Sequence, residues 1–333
     1  MTITFVYALA AVTAFFTSLL VTPKILQLAL RFNVLDVVDE RRMHEEPKPR
    51  IGGIAVYLGV AFALFVAIGF ALQTTLFHSA DDTQNFFGLL FGGTLIMLVG
   101  VWDDIMGMRP REKLVAQVVV AIVSMIYGFH IGSFKIPVSD EYVVLPAWID
   151  YPLTLLWYLG MMNAINFLDG LDGLLAGVTA ISGMFLFAIA VGHGHIAAAL
   201  VLIALVGASL GFLPYNFNPA RIFLGDTGSL FIGYVFATVS IIITAKVAVT
   251  VSLLVPLVAL GLPVIDTAAA IWRRTRAGQS IAQADRGHFH HLLVFRFGLN
   301  VRQAVLLIYA VCFALGAAAY LLSSPHLKVP GFI

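Results

Sequence analysis

The sequence predicts an all-α, polytopic membrane bundle of about ten transmembrane helices. Three observations predict it. Of 333 residues, 60% are hydrophobic and only 11% charged, with a mean hydropathy of +0.97; a water-soluble domain of this length needs far more charge on its surface. The apolar residues fall in runs near the roughly 20 residues that a helix needs to cross the hydrocarbon core. Lys and Arg collect in alternate connections, the asymmetry that sets membrane orientation.

The expected spans are 3–22, 53–72, 86–102, 114–130, 151–167, 174–192, 196–213, 228–245, 249–271 and 303–322. The first has no basic region before it and its apolar run extends to Val21, so it is expected to be retained rather than cleaved as a signal peptide. Between the fourth and fifth, the stretch 131–150 places Phe134–Pro137 and Tyr142–Pro146 around Ser139-Asp140-Glu141, which predicts a small hairpin lying on the membrane. Pro256 and Pro263 predict a bend in the ninth span. Cys312, the only cysteine, lies in an apolar run and reads as packing. No repeat, low-complexity segment or soluble insertion interrupts the pattern, so residues 1–333 read as one domain.

Sixteen of the nineteen Lys and Arg fall on one side; only Lys135, Lys246 and Lys328 fall on the other. The positive-inside rule places the basic loops in the cytoplasm and both termini in the periplasm. The net charge of +1 gives no reason to expect a nucleic-acid partner.

The polar clusters lie on the cytoplasmic side of this topology. Asp36, Asp39 and His44 precede Pro49-Arg50-Ile51-Gly52-Gly53, and Asp103-Asp104 closes the third span. Asn163, Asn166, Asp169 and Asp172 close the fifth at intervals of three, a spacing that a helical turn would align on one face. Asn216, Asn218, Arg221 and Asp226 precede the eighth span. Asp266 lies near the inner end of the ninth, and Arg286, His288, His290 and His291 follow it.

Each cluster has a plainer reading: a solvated acidic helix end at Asp103-Asp104, interhelical hydrogen bonding for the Asn–Asp run, and a simple helix N-cap at Asp226. Leu224-Gly225-Asp226-Thr227-Gly228-Ser229 also suits close approach of a phosphate to helix N–H groups. The three histidines lack Cys partners and zinc spacing. Taken together, carboxylates and amides without thiols suit a hard cation such as Mg2+, with Arg and His around a diphosphate. A transporter with interfacial acids and a scaffold with polar helix glue are the rival readings. Transporters, however, place their sites near the bilayer midplane.

The motifs Asp36-x-x-Asp39-x-Arg41-Arg42-x-His44…Pro49-Arg50-x-Gly52-Gly53, Asp103-Asp104 with Lys113 and Gln117, Asn163-x-x-Asn166-x-x-Asp169-Gly-x-Asp172-Gly, Gly225-Asp226-Thr-Gly-Ser229 and His288-x-His290-His291 resemble those of one family. It is the polyprenyl-phosphate N-acetylhexosamine-1-phosphate transferases, glycosyltransferase family 4. The likeness is greatest to the bacterial undecaprenyl-phosphate N-acetylglucosamine-1-phosphate transferases and runs from Asp36 to Leu292. Its departure is Val38, where that branch often has proline. The last loop reads His288-Phe289-His290-His291-Leu292, unlike the His-run-Phe-Glu of the phospho-N-acetylmuramoyl-pentapeptide transferases.

The resemblance implies transfer of N-acetylglucosamine 1-phosphate from UDP-N-acetylglucosamine to undecaprenyl phosphate with release of UMP. That is the first membrane step of a cell-envelope polysaccharide, carried out at the bacterial inner membrane. UDP-N-acetylmuramoyl-pentapeptide and deoxy-amino-sugar donors are the alternatives. It implies Mg2+, with Mn2+ as a substitute, bound by Asp226 and Asn166. Asp103, Asp104, Asp226 and His288 would be catalytic. Asn163, Asp169, Asp172, Arg50, Lys113, Arg221, His290, His291, Asp39 and His44 would bind substrate. It also implies contact with the lipid bilayer, a lipid-accessible groove beside the bent ninth span, and a homodimer.

Overall fold

The computed structural model describes residues 2–36, 47–71, 80–135, 142–244, 272, 275–276 and 293–323. Within them the chain forms α1 (Ile3–Arg31), β1 (Leu35–Asp36), β2 (Lys48–Pro49), α2 (Gly53–Ala71), α3 (Ala80–Met106), α4 (Pro110–Ile126), β3 (Ser133–Lys135), β4 (Tyr142–Val144), α5 (Ala147–Leu168), α6 (Leu174–Gly192), α7 (Ile196–Asn216), α8 (Gly225–Thr244) and α9 (Val301–Ser323). The protein is an all-α polytopic membrane protein. Seven of these helices (α1, α2, α3, α6, α7, α8 and α9) are long and apolar enough to cross a bilayer. The expected fourth and fifth spans coincide with α4 and α5, which are more polar: α4 opens on Pro-Arg-Glu-Lys and α5 carries Asp150, Asn163 and Asn166. The expected ninth span, with Pro256, Pro263, Asp266 and the groove beside it, lies outside the described residues.

Two helix ends differ from expectation. Hydropathy ends the first span before Pro23-Lys24, yet α1 continues to Arg31 because Ile25 and Ala29 still bury against the bundle. Helix α8 starts at Gly225 rather than 228, because a carboxylate from α3 supplies its N-terminal cap. The expected hairpin is present: β3 pairs antiparallel with β4, Phe134 opposite Val143. A second, unforeseen ladder sets Leu35 of β1 opposite Pro49 of β2 and Asp36 opposite Lys48.

Helices α7 and α8 form the interior. Helix α7 packs on α1, α2 and α6; α8 packs on α2, α3 and α5; α9 lies against α6. Hydropathy does not rank helices by burial here. The α8 span is 89% buried at a hydropathy of 1.6, whereas α9 is 28% buried at 2.4. Outer helices turn apolar side chains such as Phe16, Leu20, Leu306 and Phe313 outward, as a lipid solvent permits. The inner helix instead carries hydroxyls and aromatics that bond to neighbours. Tyr158 and Thr238 share a 3.0 Å hydrogen bond, Ser124 donates to Tyr234 at 3.0 Å, and Trp157 donates to the Ala237 carbonyl at 3.1 Å. Such interhelical bonds contribute about 0.6 kcal/mol each on average.

Close packing of α1 on α7 depends on missing side chains. A Cβ at Gly207 would overlap the Ala11 carbonyl oxygen, and one at Gly211 the Phe15 carbonyl oxygen. Gly211→Leu is expected to destabilise the protein by about 1–3 kcal/mol through overpacking, seen as a lower unfolding midpoint in detergent. Gly69→Leu on α2, where a Cβ meets nothing within 4 Å, is expected to leave the midpoint near wild type.

Candidate active site

The ends of α3 and α5, the starts of α4 and α8, and the loops before α2, α6 and α8 converge at one end of the bundle. Their junction is the N-terminus of α8. Helix starts leave backbone N–H groups without intrahelical partners, and here Asp104 of α3 accepts them. Its Oδ1 accepts from the Asp226 N–H at 3.0 Å; its Oδ2 accepts from the Thr227 N–H at 2.9 Å and the Thr227 hydroxyl at 2.6 Å. The approach is close enough to require glycines. A Cβ on Gly100 would overlap Thr227, one on Gly53 would overlap Gly228, and Gly225 combines a φ of +70° with contact to the Arg50 carbonyl.

This cap settles the two sequence readings of the Gly225–Ser229 turn. The Asp226 side chain is not the N-cap, and the Asp226 and Thr227 N–H groups do not face a phosphate site, since Asp104 holds both. The Asp226 carboxylate is thereby free to point across the junction. It is paired with Lys113 of α4 and accepts from the Asn166 amide, which also donates to Ser229 Oγ at 2.7 Å. Lys113 reaches Asp103 Oδ2 at 3.0 Å as well, and Asp103 Oδ1 accepts from the Met108 N–H at 2.6 Å. Asp103, Lys113, Asn166 and Asp226 thus form one connected cluster.

The loop before α2 locks onto this junction. Gly52 and Gly53 donate to the carbonyls of Phe223 and Leu224, and Phe223 donates to that of Pro49. Arg50 donates to the Asp104 carbonyl at 2.9 Å and lies 3.6 Å from buried Asp36.

The run from Asn163 to Asp172 does not form one helical stripe. Helix α5 ends at Leu168, so Asn163 and Asn166 stay on the helix while Asp169 and Asp172 occupy the turn before α6. The reason is the Gly170 and Gly173 punctuation, with Gly173 left-handed at φ +80°. Asn163 faces α4, donating to Gln117 Oε1 at 2.8 Å. Asp169 turns toward α8, where the Gly225 N–H meets it. Asp172 forms a neighbouring cluster: its Oδ2 accepts from Asn218 Nδ2 at 3.0 Å and the Ala220 N–H at 2.9 Å, with Lys48 at 3.8 Å. Its Oδ1 has no partner among the described residues.

Arg221 is exposed in the α7–α8 loop. Asp39, His44, His288, His290 and His291 lie outside the described residues. Sequence reasoning did not single out Lys48 as a site residue. Its signal was available, because Lys48 and Arg50 are two apart beside β2 and an extended chain puts such residues on one face.

Burial pushes the Asp169 carboxyl up to about 8, and the nearby carboxylates of Asp226, Asp104 and Asp172 add to the rise. Asp103, Asp104 and Asp226 outnumber Lys113 and Arg50, so the junction has room for added positive charge. No three His, Cys, Asp or Glu among the described residues are grouped to hold a metal ion. Asp226 and Asn166 supply hard oxygen donors of the kind that Mg2+ takes together with water and phosphate.

The profile of glycosyl transferase family 4 matches residues 86–244. The chain is 34% identical over 324 residues to the probable undecaprenyl-phosphate N-acetylglucosaminyl 1-phosphate transferase of Bacillus subtilis, covering 97% of this chain and 87% of that one. It is 34% identical over 340 residues to the decaprenyl-phosphate N-acetylglucosaminephosphotransferase of Mycolicibacterium smegmatis, covering 96% and 83%. It is 31% identical over 259 residues to the phospho-N-acetylmuramoyl-pentapeptide-transferase of Staphylococcus aureus, covering 73% and 78%.

Asp104→Ala strands three donors, two of them buried, and a buried donor costs about 1–3 kcal/mol when unpaired. The variant is expected to lose at least about 2 kcal/mol of stability, visible as a large drop in the detergent unfolding midpoint. Asp169 binds its proton more tightly folded than unfolded, so the folded state is favoured at low pH and loses stability as pH rises from about 4 to about 8. Asp169→Asn is expected to flatten that decline in midpoints measured across the same pH range.

Proposed function

The chain belongs to glycosyl transferase family 4, and from that premise we propose that it transfers N-acetylglucosamine 1-phosphate from UDP-N-acetylglucosamine to undecaprenyl phosphate. The reaction takes place at the cytoplasmic face of a bacterial inner membrane, with both termini periplasmic. An oxygen of the lipid phosphate attacks the sugar-bearing phosphorus. The bond from that phosphorus to the bridging oxygen breaks, and UMP leaves with the electron pair. The product is undecaprenyl-diphosphate-N-acetylglucosamine. A phosphate with a second pKa near 6 is largely dianionic at neutral pH, so the acceptor needs no strong base.

The observation that carries this reading is the Asp226 carboxylate, held between Lys113 and Asn166 beside Asp103. Phosphoryl transfer depends on positioning and charge neutralisation more than on covalent chemistry. Mg2+, with Mn2+ as a substitute, bound by Asp226 and Asn166 would neutralise the donor diphosphate and make its phosphorus more electrophilic. Lys113 places a second positive charge beside the transferring group, and Asp103 fixes that lysine. Asp104 acts by positioning α8, and Arg50 by bracing Asp104. Asp169, beside the head of α8, positions the donor nucleotide and diphosphate. Asp172 offers its carboxylate to a donor group of the nucleotide. Asn163 sets the α4–α5 spacing through Gln117. Arg221, Asp39 and His44 bind substrate, and His288, His290 and His291 bind phosphate or sugar. The muramoyl-pentapeptide relative matches a shorter part of the chain, which favours the N-acetylglucosamine donor.

Purified protein given Mg2+, undecaprenyl phosphate and UDP-N-acetylglucosamine is expected to release UMP. Asp226→Asn is expected to lower kcat by about 10³-fold, the scale of removing one preorganised electrostatic group, with little change in the unfolding midpoint. Radiolabelled UMP is expected not to exchange into the donor without lipid, since direct attack leaves no phosphoryl-enzyme. Wild-type protein that releases UMP from no UDP-sugar would overturn the assignment.

A further inference from the structure

Helix α9 lies outside the segment matched by the family profile, yet two of its side chains reach the setting of Asp172. The Tyr309 hydroxyl donates to the Gly173 carbonyl at 2.5 Å, one residue beyond Asp172. Arg302 Nε donates to the Asn218 carbonyl at 3.0 Å, and the Asn218 amide in turn donates to Asp172 Oδ2. One bond from α9 thus holds the loop that carries Asp172, and the other holds the residue that orients its carboxylate. The Tyr309 ring is seated by a glycine: a Cβ on Gly177 would overlap it. Gly177 lies one turn into α6, so Tyr309 spans the first turn of α6 and the turn that precedes it. Arg302 and Tyr309 are seven residues apart, two helical turns, which puts both on the same face of α9.

We propose that Tyr309 and Arg302 are positioning residues for donor binding, clamping the 170–173 turn and the 216–221 loop so that the Asp172 carboxylate faces the nucleotide. This rests on the reading of Asp172 as a donor contact. The clamp acts on the half of the site that holds the leaving nucleotide. It makes no contact with Asp226, Lys113 or Asn166, the half that serves the transferring phosphoryl group. Its loss therefore weakens donor binding and leaves the chemical step alone.

Tyr309→Phe keeps the ring against Gly177 and removes only the donor, while Arg302→Gln removes the second bond. Each variant of the full chain is expected to raise KM for UDP-N-acetylglucosamine about three- to tenfold, the range for losing one hydrogen bond. The kcat at saturating donor, the KM for undecaprenyl phosphate and the unfolding midpoint are expected to stay near wild type. Arg302→Lys, which can still donate to the Asn218 carbonyl, is expected to recover most of the donor KM. A second measurement needs no substrate: amide hydrogen exchange is expected to rise in peptides covering 169–175 and 216–221, and not in those from α8. Unchanged exchange with unchanged donor KM overturns the proposal, as does an equal rise in both substrates' KM with a lowered midpoint. Raised exchange in a protein whose wild type transfers nothing keeps the clamp and overturns the substrate reading instead.

Discussion

The carboxylate of Asp104 at the head of α8 is the contact on which the site depends. A carboxylate this buried is costly unless its lone pairs are occupied. Three donors occupy them, and the partial positive charge at a helix N-terminus favours an anion there. By taking the free N–H groups of α8, Asp104 fixes the rotation of that helix about its axis. That rotation aims Asp226 at Lys113 and Asn166 rather than back at its own backbone. The glycines at 53, 100 and 225 serve the same contact, because side chains there would separate the helices before the bonds could form.

The rest of the bundle holds this junction still. Helix α8 is enclosed over most of its length and is tied to α4 and α5 through Tyr234, Thr238 and the Ala237 carbonyl, so its head cannot rotate freely. Helices α1 and α9 carry more apolar residues yet bury less, because lipid accepts what the protein leaves uncovered. Charge follows the same division. The carboxylates gather where helix ends and glycine turns leave donors to be satisfied.

Much of this was legible in the chain. Each expected span within the described residues coincides with a helix, because the length of an apolar run and the width of a bilayer are tied by helix rise alone. The hairpin at 133–144 followed from polar turn residues between short extended runs. The joint presence of Asp103, Lys113, Asn166 and Asp226 at one end of the bundle was also visible, since each stands at a span terminus of the same parity. Less legible was what each residue touches. Residues 163 to 172 looked like one helical face, but Gly170 and Gly173 end the helix and send Asp169 and Asp172 to different partners. Lys48 read as one more basic loop residue, and Arg302 and Tyr309 carried no motif at all.

By itself, then, the sequence determined the class of molecule, the number and order of its helices near the site, and the chemical inventory at one end: oxygen ligands, amides and cations without thiols. Those properties are set by composition and by local periodicity, which act over one or two helical turns. Tertiary structure decided the division of labour among like residues. Asp103 and Asp104 are neighbours in the chain, but α3 presents them in different directions, one to Lys113 and the other to α8. Which carboxylate becomes a cap and which pairs with a lysine depends on whose donors arrive beside it, and the donors of the cap come from a helix more than a hundred residues away in sequence.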